Sequence, residues 1–246
     1  MKLAERVHLV GSGSLGFNLT EDHDCHVYLV DGGDELALID AGAGDSVDSI
    51  LANVRIAGFD PSGIRYLLLT HAHLDHSGGA RKLRDRSGLK VCLSRVKAQA
   101  LRTGDEKAIS LDVAKNAGVY LEHHRLDPCP VDIELFDGME LRIGDCLLRC
   151  IETPGHCDDM ICFLMHDRGR SFLFSGDSLF YGGKIVLLNT HDCDLKKSLE
   201  SVEKLDEIEF DALLPGHLCF SLKNGKRHVQ AARHVMRRLG VPSGIV

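Results

Sequence analysis

Short apolar runs at Val7–Val10, Val27–Val30 and Leu36–Ile39 alternate with Gly-rich turns such as Asp31-Gly32-Gly33-Asp34, which predicts strands. The period then lengthens. Val47, Ile50, Leu51 and Val54 recur at helical spacing within 45–57, with Asp45 as the cap and Gly58 as the stop. A strand over 64–70, a short helix over 80–86 and a strand over 90–93 follow. Residues 95–101 and 106–116 read as helices, with Gly104 and Gly118 as breaks. Beyond them, 133–136, 140–143, 146–151, 161–165 and 171–174 read as strands, with turns at Asp137-Gly138 and Gly144-Asp145. Asp194 caps a helix with the stripe Leu195, Leu199, Val202 and Leu205. A last helix over 226–239 turns Val229, Ala232, Val235, Met236 and Leu239 inward and is closed by Gly240 and Pro242. Periodicity alone gives helices and strands in one domain over 1–246.

The run at Tyr66–Leu69 delivers Thr70-His71-Ala72-His73-Leu74-Asp75-His76, followed by Ser77-Gly78-Gly79. Four potential ligands therefore sit on a loop at the end of a buried strand. Imidazole and carboxylate together suit zinc, iron or manganese. The lack of cysteine in the cluster fits a catalytic site better than a closed structural one. Thr153-Pro154-Gly155-His156, Ser175-Gly176-Asp177 and Leu214-Pro215-Gly216-His217 share one design, a histidine or aspartate at a glycine turn just after a strand-like run.

With Leu38-Ile39-Asp40-Ala41-Gly42 at their head, these motifs resemble, in order, the five of the metallo-β-lactamase superfamily, over nearly the whole chain. The resemblance implies an α/β fold (α+β in stricter usage), a four-layer αββα sandwich of two mixed sheets with outer helices. It implies a first metal on His71, His73 and His156 and a second on Asp75, His76 and His217, with Asp177 bridging both. Asp40 would support the site from behind, because a ligand histidine needs its other ring nitrogen held by an acceptor. Two divalent ions, zinc with iron and manganese as alternatives, would then activate a hydroxide at neutral pH. It would attack a small ester, thioester or lactone, with one ion stabilising the oxyanion. Asp75 and Asp177 are the catalytic carboxylates of that reading. Tyr181, His191, His123 and His124 are candidates for the substrate pocket.

The stretch from Asp177 to Gly183 is similar to that of glyoxalase II, but Lys184-Ile185 stands where those enzymes have an Arg-containing turn. About thirty residues follow His217, enough for one helix and short of the helical domain that contributes to glutathione binding there. Lactonases of the superfamily share the motifs and the size. Two other readings belong to different classes. A persulfide dioxygenase-like oxidoreductase would hold one iron on His71, His156 and Asp177, and a non-catalytic module would bind metal without turnover.

Composition narrows the rest. The net charge of −7 argues against a nucleic-acid partner. No apolar stretch approaches the ~20 residues of a membrane span, and the first residues lack a signal core. Nine cysteines without a Cys-x-x-Cys pair point to a reducing, cytoplasmic setting. Cys146 and Cys150 read as packing residues and Cys157 as a packing neighbour of His156. Lys223, Lys226 and Arg227 read as a solvated face. Gly11, Gly13 and Gly16 fit a dinucleotide fingerprint in letters but not in context, since no amphipathic helix follows. A small-molecule substrate is the expected partner, and oligomeric state is left open.

Overall fold

Burial separates the strands of the computed structural model, which describes residues 1–245. β1 (Val7–Gly11), β2 (Val27–Asp31) and β3 (Leu36–Ile39) are buried almost without interruption, as strands covered on both faces must be. With β4 (Ile64–Leu68), β5 (Lys90–Ser94) and β6 (Ile133–Leu135) they form a six-stranded sheet in chain order. The pairs from β1 to β3 are antiparallel and those from β3 to β6 parallel. The chain divides into two compact units, one of Met1–Leu135 with Ile143–Asp145, the other of Phe136–Arg142 with the chain from Cys146 onward.

The first unit carries α1 (Val47–Ile56), α2 (Leu74–Ser77), α3 (Ala80–Ser87), α4 (Ala98–Thr103) and α5 (Leu111–Asn116). The four apolar residues expected inward on α1 are all buried, each contributing about 1.5–3 kcal/mol for full burial. Its cap differs from the expected Asp45. Ser46 holds that position, and its hydroxyl donates to the Asp24 carboxylate instead of capping. α4 starts three residues later than the periodicity suggested, because the Arg95 amide bonds to Leu135 O and is drawn to the sheet edge. α5 likewise starts late, since the Asp105 carboxylate accepts from the amides of Lys107 and Ala108 and holds a turn there. After β1, Gly13 and Ser14 donate backbone bonds to Asp24 and Asp22 in a folded-back loop, with no helix for a nucleotide.

The second unit holds β7 (Glu140–Ile143) up to Arg142, β8 (Cys146–Glu152), β9 (Ile161–Asp167), β10 (Arg170–Gly176) and β11 (Ala212–Pro215), ordered β11-β10-β9-β8-β7 in the sheet. β10 runs parallel to β11 and antiparallel to β9, so this sheet is mixed too. Cys146 and Cys150 are buried in β8 as packing residues, and burial pushes the Cys150 thiol up to about 12. α6 (Leu195–Asp206) is capped by Asp194, which accepts from the Lys197 amide at 3.1 Å. Its buried face is Ser198, Ser201, Val202 and Leu205, while Leu195 is 39 % exposed. Of the expected stripe, Val202 and Leu205 are buried and Leu199 half-buried, and only Leu195 is displaced outward, because the first turns of this helix pack Ser198 onto the turn at Gly155. α7 (Lys226–Arg237) buries Val229 and Ala232, with Val235 and Met236 half-buried. Leu239 is 98 % exposed, the reverse of the expected inward position, because the chain turns left-handed there (φ 59°) after the helix has ended.

Candidate metal centre

In the first unit, β3 ends in Asp40, whose φ of 63° turns its carboxylate back over the end of β4. Asp40 Oδ1 accepts the Thr70 amide at 2.8 Å, and Oδ2 accepts Thr70 Oγ1 at 2.9 Å and His76 Nδ1 at 2.8 Å. A carboxylate only accepts, so His76 carries its proton on Nδ1. Thr70 has one hydroxyl proton, engaged by Asp40, so its oxygen accepts from His71 Nδ1 at 3.0 Å. Both buried imidazoles are thereby set with a lone pair on Nε2, the state a metal ligand needs.

His73, the residue before α2, brings Nδ1 to 3.1 Å from His71 Nε2. Two imidazole nitrogens so close suit cis ligands of one ion, for which Zn–N distances of about 2.0–2.1 Å are usual. The sequence placed the whole cluster on a loop, but its second half is the helical turn α2. This turn sets Asp75 Oδ2 at 3.4 Å from His76 Nε2. Cys25 lies beside Asp40 and His76. Burial pushes its thiol far above the ordinary value, which fits packing rather than thiolate ligation.

In the second unit the three remaining candidates come from three turns. His156, Asp177 and His217 are all nearly buried. His156 Nε2 lies 3.7 Å from Asp177 Oδ2 and His217 Nε2 lies 3.6 Å from the same oxygen. One carboxylate oxygen between two imidazoles is the arrangement a bridging ligand requires. The Gly216 amide donates to Gly176 O at 2.8 Å and laces two of the turns together. The third is pressed onto α6, where a Cβ on Gly155 (φ 146°) would come within 2.4 Å of Ser198 backbone atoms. Ser201 Oγ donates to Pro154 O at 2.7 Å and fixes the same turn.

The other candidates fare differently. His123 is exposed and stacks on His124 at 4.4 Å, while buried His124 accepts the Leu121 amide on Nδ1 and faces Asp45 with Nε2 at 3.5 Å. His124 is thus held by its own loop on Nδ1. His191 is exposed, and Tyr181 is 48 % exposed and lies against His228. Cys157 is buried, and burial with the Asp159 charge drives its thiol well above the usual range, which fits a packing neighbour of His156.

Sequence reasoning missed two participants. Thr70 stood next to the cluster, but its role depends on Asp40 folding back from another strand. Tyr120 lies beside Asp75, and burial with the Asp75 charge raises its hydroxyl well above the ordinary tyrosine value. Only the fold reveals that pairing, since 45 residues separate the two in the chain.

Comparisons with known proteins agree with these motifs. The model of the metallo-β-lactamase superfamily matches residues 20–217. The acyl-coenzyme A thioesterase MBLAC2 of Gallus gallus is 30 % identical over 231 residues, covering 88 % of this chain and 79 % of that protein. A hydroxyacylglutathione hydrolase of Cereibacter sphaeroides is 32 % identical over 148 residues, covering 58 % of this chain and 47 % of that one. Among solved structures, a Cronobacter sakazakii metallo-β-lactamase with a HARLDQ motif superposes with a TM-score of 0.74 at 22 % identity. The match covers 97 % of this chain and 96 % of that one. Where that motif reads HARLDQ, this chain reads His71-Ala72-His73-Leu74-Asp75-His76.

Proposed function

The chain belongs to the metallo-β-lactamase superfamily and is a metal-dependent hydrolase, and from that premise we propose that it cleaves small acyl thioesters at a two-metal centre. His71, His73 and His156 would hold one ion and Asp75, His76 and His217 the other, with Asp177 shared and both units acting as one domain. The carrying observation is the Asp40–Thr70 clamp, which fixes His71 and His76 in the ligating tautomer. Buried imidazoles whose Nδ1 is held by an oxygen acceptor, with Nε2 turned towards other candidate ligands, fit zinc, and iron or manganese as alternatives. Thioesters are favoured over lactones because the relatives include an acyl-coenzyme A thioesterase and a hydroxyacylglutathione hydrolase.

Bound divalent ions would supply a nucleophile from water at neutral pH and polarise the acyl carbonyl. The chain's own groups do the remainder. Asp40 and Thr70 keep two histidines oriented, a support worth 10–100-fold in metal affinity in comparable sites. Tyr120 lies beside Asp75, its phenol kept protonated by burial and by that carboxylate's charge. Asp177 is drawn on by two imidazoles from two different turns. Among the described residues no helix is long and apolar enough to cross a membrane. The nine cysteines are all free thiols, which supports a cytoplasmic, reducing setting.

The test compares the purified, zinc-loaded protein with H73A on acyl-coenzyme A and simple ester and lactone substrates, with bound metal measured in parallel. Thioester hydrolysis that falls with metal content in H73A supports the reading. Undiminished hydrolysis in H73A contradicts it.

A further inference from the structure

The run Lys223, Lys226, Arg227 does not form one solvated face. Lys226 folds onto the end of α6, donating to the carbonyls of Leu205 and Ile208 and pairing with Asp206 and Glu209. Lys223 and Arg227 do neither. They line a cleft of about 370 Å³ with Tyr181, Ser221, Asn224 and His228, and no carboxylate is among its lining residues. Neither cation has an acidic partner among the described residues. Two unneutralised cations therefore stand around an acid-free cleft in a chain of net charge −7.

The cleft is built rather than incidental. The Gly182 amide donates to His228 Nδ1 at 2.9 Å, so a neutral His228 carries its proton on Nε2 as a donor. Burial and then the Arg227 charge lower the His228 pKa and favour that neutral form. The turn carrying Tyr181 is seated on α7, where a Cβ on Gly183 (φ 78°) would meet Ala232 N and His228 O at 2.6 Å. Tyr181 lies 4.3 Å from the His228 ring and leaves nearly half its surface exposed. Its neighbour Phe180 is buried, with its ring 6.4 Å from that of His217. The cleft and a proposed metal ligand therefore flank the same short segment.

We infer that this cleft binds a phosphomonoester dianion, the phosphorylated end of a thioester's carrier. Lys223 and Arg227 match its two charges, the guanidinium offers a fork to its oxygens, and Tyr181 presents a ring face to an attached base. The inference rests on the thioester reading only for the source of that phosphate, since free inorganic phosphate has the same chemistry.

The experiment titrates parent and K223A/R227A with coenzyme A, with 3′-dephospho-coenzyme A and with inorganic phosphate by calorimetry. It also measures kcat and KM on an acyl-coenzyme A and on the same acyl group carried by N-acetylcysteamine. Both substituted residues are exposed, so the variant is expected to fold. The expected result is weaker coenzyme A binding and a KM raised at least about tenfold, since two charge-assisted contacts are lost. kcat and the N-acetylcysteamine thioester should be unaffected. Weakened phosphate binding with an unmoved KM supports the site with free phosphate as its ligand. A parent that hydrolyses neither thioester overturns the proposed activity while the titrations still judge the cleft. Coenzyme A and phosphate bound as tightly by K223A/R227A as by the parent would overturn the inference.

Discussion

The proposed ligands of the two units are held by different means. In the first unit, neighbouring side chains do the work: Asp40 and Thr70 lock His71 and His76, and the candidates lie within six positions of one another. In the second, backbone does it: three turns on distant stretches are positioned by a Gly216–Gly176 bond and by close packing of Gly155 on α6. A side-chain clamp tunes each ligand's protonation, whereas a backbone clamp fixes only its location. Substitutions in the first half should therefore grade metal affinity. Those in the second should act more nearly all-or-none, through loss of the shared carboxylate or of the fold.

The largest effect expected is at Asp177. D177A removes the one oxygen that both His156 and His217 approach. Activity should drop by more than the ~100-fold upper range for supporting groups, with bound metal falling as well, measured by turnover and elemental analysis. A variant with full metal and near-normal turnover would break the comparison on the second side. Next comes D40A, with about 10–100-fold weaker metal affinity and T70V a smaller loss in the same direction, read by chelator competition. Affinity unchanged in D40A would mean that the tautomer clamp does nothing.

G155A sharpens the backbone side. Its Cβ has no room against Ser198, and overpacking of this kind costs about 1–3 kcal/mol, measurable by urea denaturation. The S198G/G155A pair should recover only part of this, because Ser198 backbone atoms crowd the site too and φ 146° remains strained.

The smallest effect concerns acid. Each unit has a carboxylate held by a cation together with a backbone amide: Arg84 and the Val91 amide on Asp132, and Lys204 with the Glu152 amide on Asp137. Burial alone would raise both carboxyls, but these partners hold them below the ordinary aspartate value. A depressed folded pKa gives stability that is present above the unfolded pKa near 3.9. It is lost as pH falls through the folded value. R84A and K204A should each be modestly destabilised at neutral pH, with the deficit shrinking as the pH falls below about 4. A deficit that stays constant across that range would show the clamps to be packing contacts only.

Much of this was legible in the sequence because it was local. The cluster at 71–76 and the three glycine turns announce candidate ligands through residue type and spacing. The strands follow from apolar runs and the α1 stripe from its period. What was not legible depends on which surface a segment meets. Leu195 looks like part of a stripe until α6 is found to need small Ser198 and Ser201 against a crowded turn. Leu239 looks like a core residue until the helix ends before it. Thr70 and Tyr120 matter through partners on other elements. Lys226 and Arg227, adjacent in sequence, have opposite roles that composition does not separate.

Crystals grown in zinc and measured at the zinc absorption edge bear most directly on the metal centre. Two anomalous peaks are expected beside the Asp177 carboxylate, one with His71, His73 and His156 and the other with Asp75, His76 and His217. Anomalous density absent from those side chains, with zinc bound elsewhere or not at all, would contradict it.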